Sequence, residues 1–226
     1  MKAMILAAGR GERLRPLTDT CPKPLVEVAG KPLIFYHLEA LKKAGVSEVV
    51  INVCYMADKM MAALKEGQAW GLNIRYSVEE ALLGSGGGIK KALALLGSDP
   101  FILVNADVFT DFSFDGFKSL STKLAHLVLV PNPPQHPEGD YGLSQGMVKR
   151  RDFKTPSYTY AGIALLKPAL FKHTQSDAFP LPSLFSQAIY SGEVSGELFE
   201  GGWSDVGTPE RHLMLEQSLL KQKKKA

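Results

Sequence analysis

Short apolar runs rich in β-branched residues alternate with amphipathic stretches along the first half of the chain, and this alternation constrains the fold more than any other feature. "KAMILA" (Lys2–Ala7), "EVVINV" (Glu48–Val53), "NIRYSV" (Asn73–Val78) and "FILVNAD" (Phe101–Asp107) read as strands. Runs of this kind are buried on both faces of a parallel sheet. Between the first two, "PLIFYHLEALKKAG" carries Leu33, Ile34, Leu38 and Leu41 at helical spacing and ends in basic residues and Gly45, an amphipathic helix with a glycine stop. Further helices are expected near Ala57–Lys65 and in "GIKKALALLG". Strand and helix in this rhythm build right-handed βαβ units, so the fold class is α/β with a Rossmann-like, doubly wound sheet. After Asp107 the rhythm changes. "HLVLVPNP", "YAGIALL" and "VSGELFE" read as strands, "LPSLFSQAIYSG" and "PERHLMLEQSLL" as helices, which predicts a mixed, mainly parallel sheet.

Bulk properties narrow the class further. At 226 residues, with 45% hydrophobic and 22% charged residues, the chain has the composition of a globular domain with a full core, and one domain is the expectation. Neither disorder nor a membrane protein is indicated, since no apolar run approaches the roughly 20 residues that span a bilayer. The formal net charge is +3, much of it from "KQKKKA" at residues 221–226, which reads as a solvated tail or fraying helix end. Nucleic acid is therefore not an expected partner. No signal peptide is read at the N-terminus. Cys21 and Cys54 show no CxxC spacing, consistent with reduced thiols and a cytoplasmic location. The proline-rich "PNPPQHPEGDYG" (Pro131–Gly142) reads as an ordered surface loop. It is either a substrate loop or a plain connector.

Ligands of open α/β sheets sit beyond the carboxyl ends of the strands, which directs attention to "AAGRGERLRP" after the first strand. Gly9 and Gly11 permit close backbone approach, and their N–H groups can converge on an anion. A dinucleotide loop is disfavoured because Leu14 stands where its third glycine belongs, and no GK[ST] of a P-loop follows. What remains is Arg13 and, ten residues on, Lys23 between Pro22 and Pro24. A guanidinium fork and an ammonium suit a triphosphate whose α-phosphorus is attacked. Such chemistry needs a divalent cation. Asp107 at the end of a strand and Asp205 in "GGWSDVGTPE" offer the hard oxygen ligands Mg²⁺ prefers, provided that they converge. The glycine cluster Gly84–Gly88 offers a backbone surface for a flat base, with Glu79 or Glu80 placed to accept from a base imide N–H.

Taken together, "LAAGRGERLRPLT", "PKPL", "GSGG", "NAD" and "WSDVGTPE" resemble, in order and spacing, the sugar-1-phosphate nucleotidyltransferases over essentially the whole chain. The resemblance implies that Ala8, Gly9, Gly11, Glu12, Arg13, Lys23, Glu79, Gly84 and Gly87 bind the nucleotide. Arg13, Lys23 and Asp107 would be catalytic, Asp107 and Asp205 would hold Mg²⁺, and Asn105, Asp140, Gly142 and Asp205 would face the sugar. It further implies a nucleotide-binding half at 1–110, a sugar-binding half at 111–220 and a basic tail at 221–226. The Glu-Lys-Pro motif that many members carry is absent, and "MVKRRDFKTPSYTYAGIAL" stands in its place, so the sugar pocket must be built differently. "HLVLVPNPPQHPEGDYG" and "VSGELFEGGWSDVGT" are most similar to the branch that joins UTP to N-acetylmuramate 1-phosphate in peptidoglycan recycling. Alternatives are another pair, such as mannose 1-phosphate with GTP, or a nucleotide or sugar sensor without catalysis. The substrates implied are a nucleoside triphosphate and a sugar 1-phosphate, handled by a monomer or homodimer.

Overall fold

The computed structural model describes residues 1–152 and 155–223; Phe153, Lys154 and residues 224–226, the end of the basic tail, lie outside the described residues. In chain order the elements are β1 (Lys2–Leu6), β2 (Glu27–Val28), β3 (Lys31–Pro32), α1 (Leu33–Lys43), β4 (Glu48–Val53), α2 (Ala57–Leu64), β5 (Asn73–Val78), α3 (Gly84–Leu96), β6 (Phe101–Asn105) and β7 (Val108–Thr110). There follow β8 (Ala125–Val130), β9 (Tyr141–Ser144), β10 (Met147–Arg150), β11 (Ser157–Leu166), α4 (Pro182–Tyr190), β12 (Val194–Leu198), β13 (Trp203–Asp205) and α5 (Pro209–Lys223).

Nine strands form one sheet in the order β5-β4-β1-β6-β11-β8-β12-β10-β9. The first four are parallel, as the βαβ alternation predicts. The sheet becomes mixed at β11, which runs antiparallel to both β6 and β8. Alternate residues of the central strands face two helical layers. Ala3, Ile5, Val49, Ile51, Ile102 and Val104 pack with α1 and α2, while Met4, Val50, Phe101 and Leu103 pack with α3 and α4. Burial on both faces is why these runs read as continuously apolar. A smaller cluster of Leu14, Val26, Val28, Leu33, Val206 and Leu215 joins α5 to the segment after β1.

Several boundaries differ from the sequence reading. β6 stops at Asn105, so Asp107 lies in the short turn before β7 and not within a strand. α3 begins at Gly84, four residues earlier than its apolar pattern, because the glycine run is itself helical. The hairpin β9–β10, which takes in Tyr141 and Gly142 at the end of the expected proline-rich loop, is an element the sequence reading does not contain. Its two-residue turn is Gln145–Gly146, with φ of 50° and 71°, the double left-handed conformation of a primed hairpin turn. Gln tolerates that conformation poorly and gives no turn signal. Lys221–Lys223 continue α5, and Lys223 Nζ donates to the Ala29 carbonyl at 2.9 Å, so this part of the tail is a helix end. Among the described residues no helix is long and apolar enough to cross a membrane.

Candidate active site

An open cavity of about 670 Å³ lies beyond the carboxyl ends of β1 and β6. Residues 8–11 form its rim. The N–H groups of Ala8, Gly9, Arg10 and Gly11 donate to nothing among the described residues, so four donors are available to an anion. Gly11 has φ of +66°, and a Cβ there would stand 2.9 Å from Thr18 Cγ2 and 3.1 Å from Lys23 Cβ. Glycine is required at that position both for backbone freedom and for the approach of Lys23. Gly9 differs: its φ is not left-handed, and a Cβ there would meet nothing within 4 Å. Its missing side chain leaves cavity space and relieves no internal contact.

Two cations flank this rim. Arg13, in the short 3-10 turn Glu12–Leu14, lines the cavity and makes no ion pair among the described residues. Lys23 sits in a second 3-10 turn between Pro22 and Pro24. Its ammonium is 2.7 Å from Asp107 Oδ2, with the lysine side chain 11% exposed and the aspartate 40% exposed. Both residues of this pair line the cavity, as do Ala8, Glu12, Gly84 and Asn105.

The chain segments bearing the two aspartates meet. β7 and β13 pair antiparallel with Asp205 opposite Val108, and the Val206 N–H donates to the Asp107 carbonyl at 2.7 Å. Their carboxylates have separate partners, however. Asp205 Oδ2 accepts from Arg211 Nη1 at 2.6 Å and Oδ1 from Gln135 Nε2 at 2.8 Å, and only Asp107 lines the cavity. Among the described residues no group of three or more His, Cys, Asp or Glu side chains forms a metal cluster. Two carboxylates on paired segments, without Cys or His, are the donor chemistry of a hard cation that completes its shell with phosphate and water, and by that chemistry the residues present fit Mg²⁺.

On the opposite wall the glycines of α3 serve mainly to admit neighbours. A Cβ on Gly86 would run into the Phe179 ring, one on Gly87 into the Asp177 carbonyl, and one on Gly88 would stand 2.6 Å from Glu79 Oε1. Gly87, expected to bind the nucleotide, is buried and is not among the cavity residues; the wall at this point is Leu82, Gly84 and Ser85. Glu79 does line the cavity but is only 3% exposed. Its Oε1 accepts from Asn52 Nδ2 at 2.7 Å and its Oε2 from the Leu83 N–H at 3.1 Å. Both carboxylate oxygens thus already accept a hydrogen bond from within the protein.

The expected sugar residues divide as well. Asn105 lines the cavity and packs against Gly162, whose φ is +74° and whose Cβ would stand 2.8 Å from Asn105 Nδ2. The register of β11 on β8 shifts at this point, between Tyr160 and Ala164; bulges of this kind re-aim side chains beside active sites. Asp140 and Gly142 do not line the cavity. Asp140 Oδ2 accepts from the Tyr160 N–H at 2.8 Å, and Oδ1 lies 3.1 Å from His136 Nε2. Its geometry is that of a brace for the proline-rich loop, and Gly142 is a ladder residue of β9. The same loop reaches Asp205 through Gln135, so it is more than a connector.

Some residues of the site have no sequence motif to reveal them. Asn52 accepts from the Ala7 N–H at 2.9 Å, and Arg211 holds Asp205. His37 of α1 is buried and donates from Nε2 to the Val108 carbonyl at 2.7 Å, one residue beyond Asp107. Burial holds its pKa down at about 4, against the opposing pull of the Val108 carbonyl and the Asp107 charge. In the sequence His37 is only a polar interruption of an apolar helix face, and Asn52 only a polar residue within a buried strand.

Residues 2–222 match the nucleotidyl transferase family. The chain is 45% identical to N-acetylmuramate alpha-1-phosphate uridylyltransferase of Neisseria meningitidis, across 92% of this chain and 94% of that protein. It is 35% identical to mannose-1-phosphate guanyltransferase of Aspergillus fumigatus, across 94% of this chain but 62% of that protein. Among solved structures, a putative glucose-1-phosphate thymidylyltransferase from Bacillus anthracis superposes with a TM-score of 0.84, at 21% identity, across 96% of this chain and 94% of the other. This last likeness is one of fold.

Proposed function

The chain belongs to the nucleotidyl transferase family and is a sugar-1-phosphate nucleotidyltransferase, and from that premise we propose that it joins UTP to N-acetylmuramate 1-phosphate, giving the UDP-sugar and pyrophosphate. The observation that carries the phosphate half of this reading is the rim of four free amides, flanked by Arg13 and Lys23 and facing Asp107. The likeness to the Neisseria protein supports the substrate pair.

In this reading the N–H groups of Ala8, Gly9, Arg10 and Gly11 receive the triphosphate, Glu12 borders it, and Arg13 draws the nucleotide in. An oxygen of the sugar 1-phosphate attacks the α-phosphorus in line; the bond from that phosphorus to the bridging oxygen breaks, and pyrophosphate leaves. The attacking oxygen is already anionic, so no general base is needed, and positioning and charge neutralisation carry the catalysis. Lys23 Nζ, held on Asp107, faces the charge that accumulates at the α-phosphate. Asp107 and Asp205 would hold Mg²⁺, which when bound supplies further neutralisation of the phosphate oxygens. Asn105 borders the cavity on the side assigned to the sugar. The work would belong to peptidoglycan recycling in the cytoplasm, a setting that two free cysteines support.

The test is a matrix of the purified protein with four nucleoside triphosphates, a small panel of sugar 1-phosphates including those of N-acetylmuramate and mannose, and Mg²⁺, read by pyrophosphate release. The proposal expects the UTP and N-acetylmuramate 1-phosphate pair to exceed all others in kcat/KM. Preference for GTP with mannose 1-phosphate would replace it with the activity carried by the name of the Aspergillus relative. Release with no pair at all would favour a sensor.

A further inference from the structure

Beneath the cavity two buried side chains, Asn52 and Glu79, each 3% exposed, link its two walls. The Ala7 N–H, immediately before the free amides of the rim, donates to Asn52 Oδ1 at 2.9 Å. Asn52 Nδ2 donates to Glu79 Oε1 at 2.7 Å. Glu79 Oε2 accepts from the N–H of Leu83 at 3.1 Å, at the residue before Gly84 and Ser85 of the far wall. The orientation of the amide is fixed by the chemistry of its partner: a backbone N–H can only donate, so it must meet Oδ1, which turns Nδ2 toward the carboxylate.

We propose that Asn52 and Glu79 are positioning residues that clamp the phosphate loop and the wall at Leu83–Ser85 at one separation, so that the triphosphate and the base of one nucleotide are engaged together. This rests on the nucleotide reading above. The polarity of the link dictates its composition. Both ends of the chain of hydrogen bonds are backbone donors, so the two bridging side chains must present three acceptors and one donor. One amide and one carboxylate meet that demand. Two amides cannot, because in every orientation one N–H is left facing another, and a buried donor without an acceptor is costly. Two carboxylates lack the donor and place like charges in contact. The same requirement accounts for a buried carboxylate at position 79 and for glycine at 88, where a Cβ would stand 2.6 Å from Glu79 Oε1 and 2.8 Å from Asn52 Nδ2.

The rule predicts a polarity swap. In Glu79→Gln the link contains a donor facing a donor, and in Asn52→Asp two carboxylates meet. In the double variant Asn52→Asp/Glu79→Gln, the carboxylate now at position 52 accepts from the Ala7 N–H and from the amide nitrogen now at position 79, whose own oxygen accepts from the Leu83 N–H. Every bond and the net charge are restored. Glu79→Gln is expected to raise KM for UTP about 10-fold or more, while inhibition by inorganic tripolyphosphate, which occupies one wall only, stays within about twofold. The double variant is expected to return KM to within about threefold of wild type. A double variant no better than Glu79→Gln, a wild-type KM in Glu79→Gln, or tripolyphosphate weakened as much as UTP would each overturn the proposal. If Glu79→Gln alone does not fold, the double variant decides: folded with near wild-type KM upholds the rule, and unfolded or impaired refutes it. A wild-type protein that neither releases pyrophosphate nor is stabilised by UTP refutes the nucleotide reading itself, and this role with it. An active wild type with an unrescued double variant refutes the link alone.

Discussion

Gly9→Ala separates the two reasons a glycine can stand in a loop, because at this position only one of them applies. The backbone of Gly9 is compatible with an L side chain, and an added Cβ meets nothing within 4 Å. Replacing such a glycine reduces the entropy of the unfolded chain and stabilises by about 0.4–1 kcal/mol. For a domain of this size that is a rise in Tm of roughly 1–4 °C. Gly11→Ala is the contrast: φ of +66° and a 2.9 Å approach to Thr18 Cγ2 make it destabilising by about 1 kcal/mol or more.

The activity of Gly9→Ala is expected to move the other way. The Gly9 N–H is one of four free donors at the rim, and an anionic oxygen in a charge-assisted hydrogen bond sits about 2.7–2.9 Å from its donor. A methyl group beside that donor pushes the phosphate chain away, and the loss of one hydrogen bond to a charged group costs roughly 1.5–3 kcal/mol. This corresponds to a fall of about 10- to 100-fold in kcat/KM for the nucleoside triphosphate. The assays are differential scanning fluorimetry without ligand and initial rates of pyrophosphate release over a range of triphosphate concentrations. Unchanged kcat/KM would mean that the phosphates do not use the space at Gly9. A melting temperature several degrees below wild type would mean that the glycine serves the fold after all.

Lys23→Ala should cut kcat by about 100-fold or more with little change in Tm, and Lys23→Arg should rescue it poorly, since the stem is packed against Gly11 and a planar fork does not reproduce a point charge; a loss confined to KM would assign Lys23 to ground-state binding. Asp107→Asn and Asp205→Asn are each expected nearly to abolish turnover at saturating Mg²⁺ with the circular dichroism spectrum unchanged, and wild-type pyrophosphate release by either would remove that residue from the metal assignment. Stability should fall as pH drops from about 6.5 to about 4, because the unfolded chain protonates His37 near its ordinary pKa while the folded one resists until about 4. The buried His126, whose pKa burial also lowers, adds to the slope, so His37→Gln should flatten the urea-midpoint profile in part; a profile unchanged by that substitution would exclude His37.

The first half of the fold is legible because β1, β4 and β6 are buried on both faces, the edge strand β5 alternates buried and exposed residues, and the helices bury one face, so hydrophobic period separates them. β4 and β5 coincide with their predicted spans. Legibility fails where main-chain conformation or long-range pairing decides. β9–β10 turns on Gln145–Gly146, and β7–β13 exists because Asp205 lies opposite Val108, a contact between segments far apart in the chain. The site shows the same division. Gly11, Arg13, Lys23 and Asp107 carry their chemistry in a local motif, and the structure gathers them at one cavity. Asn52, Arg211 and Gln135 act through partners that no spacing rule identifies. The glycine run at 84–88 is divided: Gly84 lines the cavity, whereas Gly86 and Gly87 lie against another part of the chain. Glycine marks close approach, but the sequence does not say of what, and here Gly86 and Gly87 admit the chain at Asp177–Phe179.

The two cations of the rim are held differently, and the difference bears on what each can do. Arg13 is exposed and has no ionic partner among the described residues, so its field reaches solvent and its side chain is free to reorient onto an incoming anion. Lys23 is nearly enclosed and already bonded to Asp107. That bond uses one of the three ammonium protons and leaves two for another oxygen, while Gly11 and the flanking prolines fix the stem. A charge fixed before the substrate arrives incurs no reorganisation when charge develops beside it, which is the condition under which electrostatic stabilisation favours the transition state over the ground state. Asp107 therefore does not cancel Lys23. It holds the ammonium in place, and the partial exposure of the carboxylate, 40% against 11% for the lysine, leaves its second oxygen available to a further cation.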